Sequence, residues 1–275
     1  FNPKTGPQMG WIVLTLPFLE EQALSDQFDF NTNVFDQAQE PQATWLPQLR
    51  CPSDTAVPIH FNHTAHSRGK NLAKGNYAAY VSPQHIGDLK FLPGALGGFQ
   101  ASEVDPLGQD LKRIPDGLSR TIAVTEVRTL AHERDLRGAW AVPWGGASVL
   151  ALHIDHDFGN FGGAPHLQSG IGIYVPDPEF AHWAHPPNSQ SIVDLVYSCQ
   201  VVESRIQRMP CRIAPGSQYW WATGAARSLH PGGVLVSALD GHVGFLSDDV
   251  DTFHVLSRLI STDDGTSLNF AAHVR

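Results

Sequence analysis

Apolar positions alternate most cleanly near the C-terminal end of this chain. Val234, Val236 and Ala238 interleave with Leu235, Ser237 and Leu239, and after Asp240-Gly241 the alternation resumes at Val243 and Phe245. Period two predicts two strands. Asp-Gly between them predicts a hairpin, because a two-residue type I′ turn needs positive φ at both central positions. With Asp240 and Gly241 as the whole loop, Ala238 pairs with Val243 and Val236 with Phe245, giving one wholly apolar face. An apolar face of that kind must be covered by a helix or a second sheet. The same register sets His230 opposite Asp251, unless Pro231-Gly232-Gly233 breaks the ladder first.

Elsewhere the pattern predicts mixed structure. Leu14, Phe18, Leu19 and Leu24 form a helical stripe over residues 11–30, with Glu20 and Glu21 on the outer side and Pro17 able to kink it. Asn76 to Val81 and Thr121 to Val127 read as strands, the second entered through a Pro115-Asp116-Gly117 turn. Residues 138–154 suggest a strand broken at Gly145-Gly146. Asp251 to Ser261 suggests a helix with Val255, Leu256, Leu259 and Ile260 inward. Residues 31–75 look irregular. Residues 155–226, rich in Gly, Pro and His, read as a variable, loop-rich insertion within one domain spanning 1–275.

Composition narrows the class. Hydrophobic residues make up 42% and charged ones 16%, too apolar for disorder, and 25 Gly with 20 Pro favour short strands and turns over a helical bundle. A net charge of −9 with no Lys/Arg cluster disfavours nucleic acid. No segment reaches the roughly eighteen uninterrupted apolar residues of a membrane span. Cys199 and Cys211 are spaced for a disulfide in an oxidising compartment, the other reading being two buried thiols; Cys51 is left over.

Six segments, taken in order, resemble one bacterial family. Gly10-Trp11 with Leu16-Pro17-Phe18-Leu19-Glu20 is similar to its early "GW…LPYLEQ". Leu49-Arg50-Cys51-Pro52-Ser53-Asp54 matches "LRCPSD", and Asn76-Tyr77 a later "NY". Ile114 to Glu126 resembles "I-DGLSNTI-VGE", and Arg137-Gly138-Ala139-Trp140 matches "RG-W". His230 followed by nine residues and Asp240-Gly241 resembles the H-X9-DG box. The family is the prepilin-type H-X9-DG group, pseudopilin-like proteins also catalogued as domain of unknown function 1559 and labelled solute-binding. The resemblance implies an α+β, pilin-like fold: an N-terminal helix packed on an antiparallel sheet with long elaborated loops. It implies a non-enzymatic structural subunit of a surface filament or secretion-type pseudopilus, exported to the periplasm or cell surface. Its partners would be copies of itself or other pilin-like subunits. Family members open with a basic leader and a long apolar helix; this chain opens Phe1-Asn2-Pro3-Lys4, so the expectation is an ectodomain whose membrane contact runs only through a missing helix. The alternative is an extracellular module binding carbohydrate or another solute.

Five constellations bear on chemistry. His230, with Asp240 and Gly241, is placed to tie down the hairpin base by hydrogen bonding. Asp155, Asp157 and Asn160, around Gly159, offer the alternating oxygen donors of a calcium loop, the one cofactor suggested, though without EF-hand spacing. Trp183, Tyr219, Trp220 and Trp221 could stack on a ligand in the variable region. His60, His63 and His66 are spaced for zinc on a helix, but the local sequence is a poor helix. Ser228 and His230 with Asp251 or Asp240 are the residue types of acyl transfer, without the glycine-flanked elbow that chemistry needs.

Overall fold

The computed structural model describes residues 6–83, 86, 93–97, 109–152, 185–214, 222–265 and 268–275. Its centre is a five-stranded sheet in the order β3-β1-β2-β6-β7: β1 (Tyr77–Ser82), β2 (Ile122–Glu126), β3 (Val149–Ala151), β6 (Gly233–Ala238) and β7 (Val243–Ser247). All pairs are antiparallel except β1 with β3. Two further strands, β4 (Asp194–Val196) and β5 (Cys211–Ile213), pair in parallel in a sheet of their own. The architecture is therefore α+β, a mostly antiparallel sheet with few and short helices. No described helix is long and apolar enough to cross a membrane.

The hairpin forms one residue out of the expected register. Val234 faces Leu246 and Val236 faces Gly244, because the loop has three residues, Leu239 to Gly241. Gly241 N–H donates to the Ala238 carbonyl and Ala238 N–H to that of His242, with Gly241 at φ +90°. This is a β-turn closed by a left-handed glycine. Asp-Gly serves both loops, but the longer one flips every β7 side chain to the other face. Leu246, not Phe245, joins Val234 and Val236 in the core, and Val243 is 64% exposed. His230 is not opposite Asp251; that carboxylate caps the C-terminal helical segment by accepting Phe253 and His254 N–H.

The continuous helix expected over 11–30 is three short pieces. Helix α1 (Trp11–Thr15) passes into a 3₁₀ turn, Leu16–Leu19, and α2 is Gln22–Ser25. Pro17 cannot donate to the helical ladder, and Glu20 turns left-handed at φ 63°. Ile12, Val13 and Leu16 pack into a core with Trp140, Val142, Val149 and Val81. The apolar hairpin face is covered instead from the C-terminal end. A helical segment, Thr252–Leu256 followed by α4 (Ser257–Ile260), and α5 (Phe270–His273) share a second core with Tyr80, Ile122, Val234, Val236 and Leu246. Helix α3 (Val201–Ile206) precedes β5. Cys199 and Cys211 form a disulfide, and Cys51 is free and buried.

Candidate functional site

Four of the six signature segments meet at the end of the central sheet where β1 begins and β2 ends. Cys51 sits in a loop after a 3₁₀ turn, and its backbone N–H donates to Asn76 Oδ1 at 3.0 Å. Asn76 is pinned in turn: its amide donates to Asp54 Oδ2 and to the Val127 carbonyl. Asp54 also accepts Thr129 through both backbone and hydroxyl. Glu126 ends β2 and is 1% exposed. Its Oε2 accepts Leu235 N–H from β6 at 2.8 Å, and its Oε1 lies 3.1 Å from His230 Nε2. That same ring nitrogen lies 3.6 Å from Cys51 Sγ. His230 is fixed by its own backbone N–H, donated to Ser228 Oγ, while its side chain keeps 27% exposure.

Cys51, Glu126 and His230 are the one group of three His, Cys, Asp or Glu, among the described residues, whose ligand atoms all lie within 4.8 Å of one another. Burial pushes the Cys51 thiol up, and the Glu126 carboxylate adds to that effect. Tyr77, beside them, is raised by burial and then by Cys51 and Glu126.

This arrangement differs from a nucleophile–base–orienter relay. A relay uses both imidazole nitrogens, one toward the nucleophile and one toward the carboxylate. Here thiol and carboxylate face the same nitrogen. The thiol is also held toward its protonated form, the weak nucleophile. What the geometry does provide is a clasp between three distant segments. Replacing His230 with Ala should cost about 1–3 kcal/mol, because a buried carboxylate oxygen loses its partner; urea unfolding at neutral pH reads it, and an unchanged midpoint would contradict the clasp.

Asp240 and Gly241 lie at the far end of the hairpin, where Asp240 accepts His242 N–H; they make the turn and do not reach His230. Ser228 Oγ donates to the Gly233 carbonyl, His230 turns to Glu126 and Asp251 caps a helix, so the acyl-transfer trio is not assembled. His60 bonds the Ala43 carbonyl and packs its ring at a tilt against Trp45, while the His63 and His66 rings meet at a tilt. Asp155, Asp157, Asn160, Trp183, Tyr219, Trp220 and Trp221 lie outside the described residues.

A second node was not anticipated. Asp194 is buried on β4 and takes both Arg227 Nε, at 3.0 Å, and Arg227 Nη2, at 2.8 Å. It also takes Arg137 Nη1 at 3.1 Å, while Asp135 holds Arg137 from the other side. Arg137 belongs to the fifth signature segment. Its neighbour Gly138 (φ +81°) has no room for a side chain: a Cβ would meet the Gly75 carbonyl oxygen at 2.3 Å.

A cleft of about 580 Å³ opens next to the Cys51 loop, lined by Thr55, Val57, Arg128, His132, Gln200 and Gln207 among others. Fold and site together define an α+β sheet protein in which four signature segments converge on one thiol–carboxylate–imidazole node. The chain belongs to the family described as protein of unknown function (DUF1559), whose model matches residues 1–252. No curated protein and no solved structure matches it.

Proposed function

We propose that this chain is an exported, non-enzymatic, pseudopilin-like subunit that works by assembling with copies of itself or with other pilin-like chains. The observation that carries this reading is at the N-terminal helical segment. Ile12, Val13 and Leu16 are buried, yet Leu14 is 61% and Phe18 86% exposed on the opposite side. A segment apolar on both sides has a partner still to meet. On this reading that partner is a neighbouring pilin-like subunit. The Cys199–Cys211 disulfide suits an oxidising, exported setting. The single-nitrogen geometry at His230 supports a holding role over a reacting one.

Leu14→Asp with Phe18→Asp should leave the fold within about 1 kcal/mol, since both sites are exposed. In cells producing the full gene product, the same pair should abolish recovery of the protein in sheared surface fractions. Unchanged recovery would sink the reading. The cleft beside the Cys51 loop favours a second one, capture of a small solute with a carboxylate or similar anionic group by Arg128. Loss of solute binding on Arg128→Met, with assembly intact, would favour it.

A further inference from the structure

Three side chains from segments 75 and 104 residues apart converge, with their ligand atoms all within 4.8 Å of one another. In a tetrahedral zinc site, Zn–S of about 2.3 Å and Zn–N or Zn–O of about 2.0–2.1 Å set ligand atoms about 3.3–3.6 Å apart. Here sulfur and nitrogen are 3.6 Å apart and nitrogen and oxygen 3.1 Å. We propose that Cys51 Sγ, Glu126 Oε1 and His230 Nε2 bind one borderline-soft divalent transition metal ion, for which zinc is the best fit, with water as fourth ligand on the exposed side of His230.

Four features carry this. One is the donor set. One sulfur, one imidazole nitrogen and one carboxylate oxygen suit zinc and its neighbours, whereas calcium and magnesium take oxygen. Charge is another. A thiolate and a carboxylate cancel a dication, so the loaded site is neutral where it is buried. Ligand orientation is a third. Glu126 is aimed by Leu235 N–H on its other oxygen, the outer support a ligating carboxylate takes, while Asn76 and Ser228 anchor the backbones of Cys51 and His230. The last is access. Cys51 and Glu126 are buried, while His230 keeps an open edge through which an ion and its water can pass. On binding, the thiol proton leaves to solvent and the sulfur, carboxylate oxygen and Nε2 each donate a pair to the metal. The imidazole must then carry its proton on Nδ1. The inference stands apart from the assembly reading, since a metal clasp would serve a subunit or a binding module equally.

The test is cobalt substitution. Protein with the disulfide intact is stripped with chelator, dialysed and titrated with Co²⁺ under anaerobic conditions. The expected result is uptake of one equivalent with a thiolate-to-cobalt charge-transfer band. Zn²⁺ should displace it and raise the melting temperature by several degrees, where Ca²⁺ and Mg²⁺ do not. Cys51→Ser, a near-isosteric change verified by far-ultraviolet circular dichroism, should remove the band, and His230→Gln should weaken binding by about 100-fold or more. A His63→Gln, His66→Gln variant should keep the band unchanged. Absence of a charge-transfer band and of any Zn²⁺ shift in the wild-type protein would overturn the site. So would a band that survives Cys51→Ser or disappears with His63 and His66.

Discussion

Asp194→Ala should cost about 3–5 kcal/mol, because it strands buried guanidinium charge. Arg227 would lose its whole bidentate partner and Arg137 one of two carboxylates. Both arginines and the aspartate are essentially fully buried, so water cannot take over the lost bonds. The two arginines hold Asp194 well below the usual carboxylate range against the upward push of burial. The network ties β4 to the segment before the hairpin, and Arg227 N–H also donates to the Glu126 carbonyl. Its loss should therefore loosen both nodes together. At about 2–4 °C per kcal/mol for a chain of this size, the melting temperature should fall by roughly 6–20 °C. A loss under 1 kcal/mol in urea unfolding would show that the network does not hold the fold.

Between pH 6.5 and 4 the protein should lose up to about 3 kcal/mol of stability through His185 alone. Burial pushes this imidazole down to about 4; Asp194 opposes the shift and Arg227 adds to it. Its Nε2 lies 3.1 Å from Thr223 Oγ1, and its Nδ1 3.9 Å from Asp194 Oδ1. A lowered histidine pKa means that the unfolded chain binds the proton more readily. The stabilisation is complete above the unfolded value of about 6.5 and drains away as pH falls to the folded value. His66, lowered by burial and by His63, adds in the same direction. Asp194 acts in a separate window: its contribution is present above about 3.9 and lost only at lower pH, through its depressed value. His185→Gln should flatten the curve between pH 6.5 and 4 and leave the steep acid limb. Parallel curves for the two proteins would contradict the assignment.

Much of the sheet was legible in the chain. β1, β2, β6 and β7 lie within residues of the alternating or β-branched runs that predict them, and Asp-Gly marks the hairpin. The register was not legible, because a left-handed Gly241 closes a three-residue loop as readily as a two-residue one. Nor was the breaking of the N-terminal helix, where the decisive residues are Pro17 and a left-handed Glu20. The parallel pairing of β3 with β1 is non-local and leaves no mark in either segment. At the node, Cys51 looked like a spare cysteine and Glu126 like the end of a motif. Their meeting with His230 depends on tertiary closure over 75 and 104 residues, which no local spacing records. Two signals were readable. Glu126 closes a strand of buried positions, and Asp194 interrupts the apolar run Ile192-Val193-Asp194-Leu195-Val196. A carboxylate in such a place is rarely buried without a partner.

On the proposed function, the chain holds its own shape through these nodes and offers its N-terminal segment to a neighbour. A photo-crosslinking residue at position 18, introduced into the full gene product in its own cells, tests that most directly. Adducts at the mass of a second copy, or of another pilin-like subunit, are the expected result. A side chain that stays uncrosslinked while the protein is recovered as a free monomer charged with a small solute would contradict it.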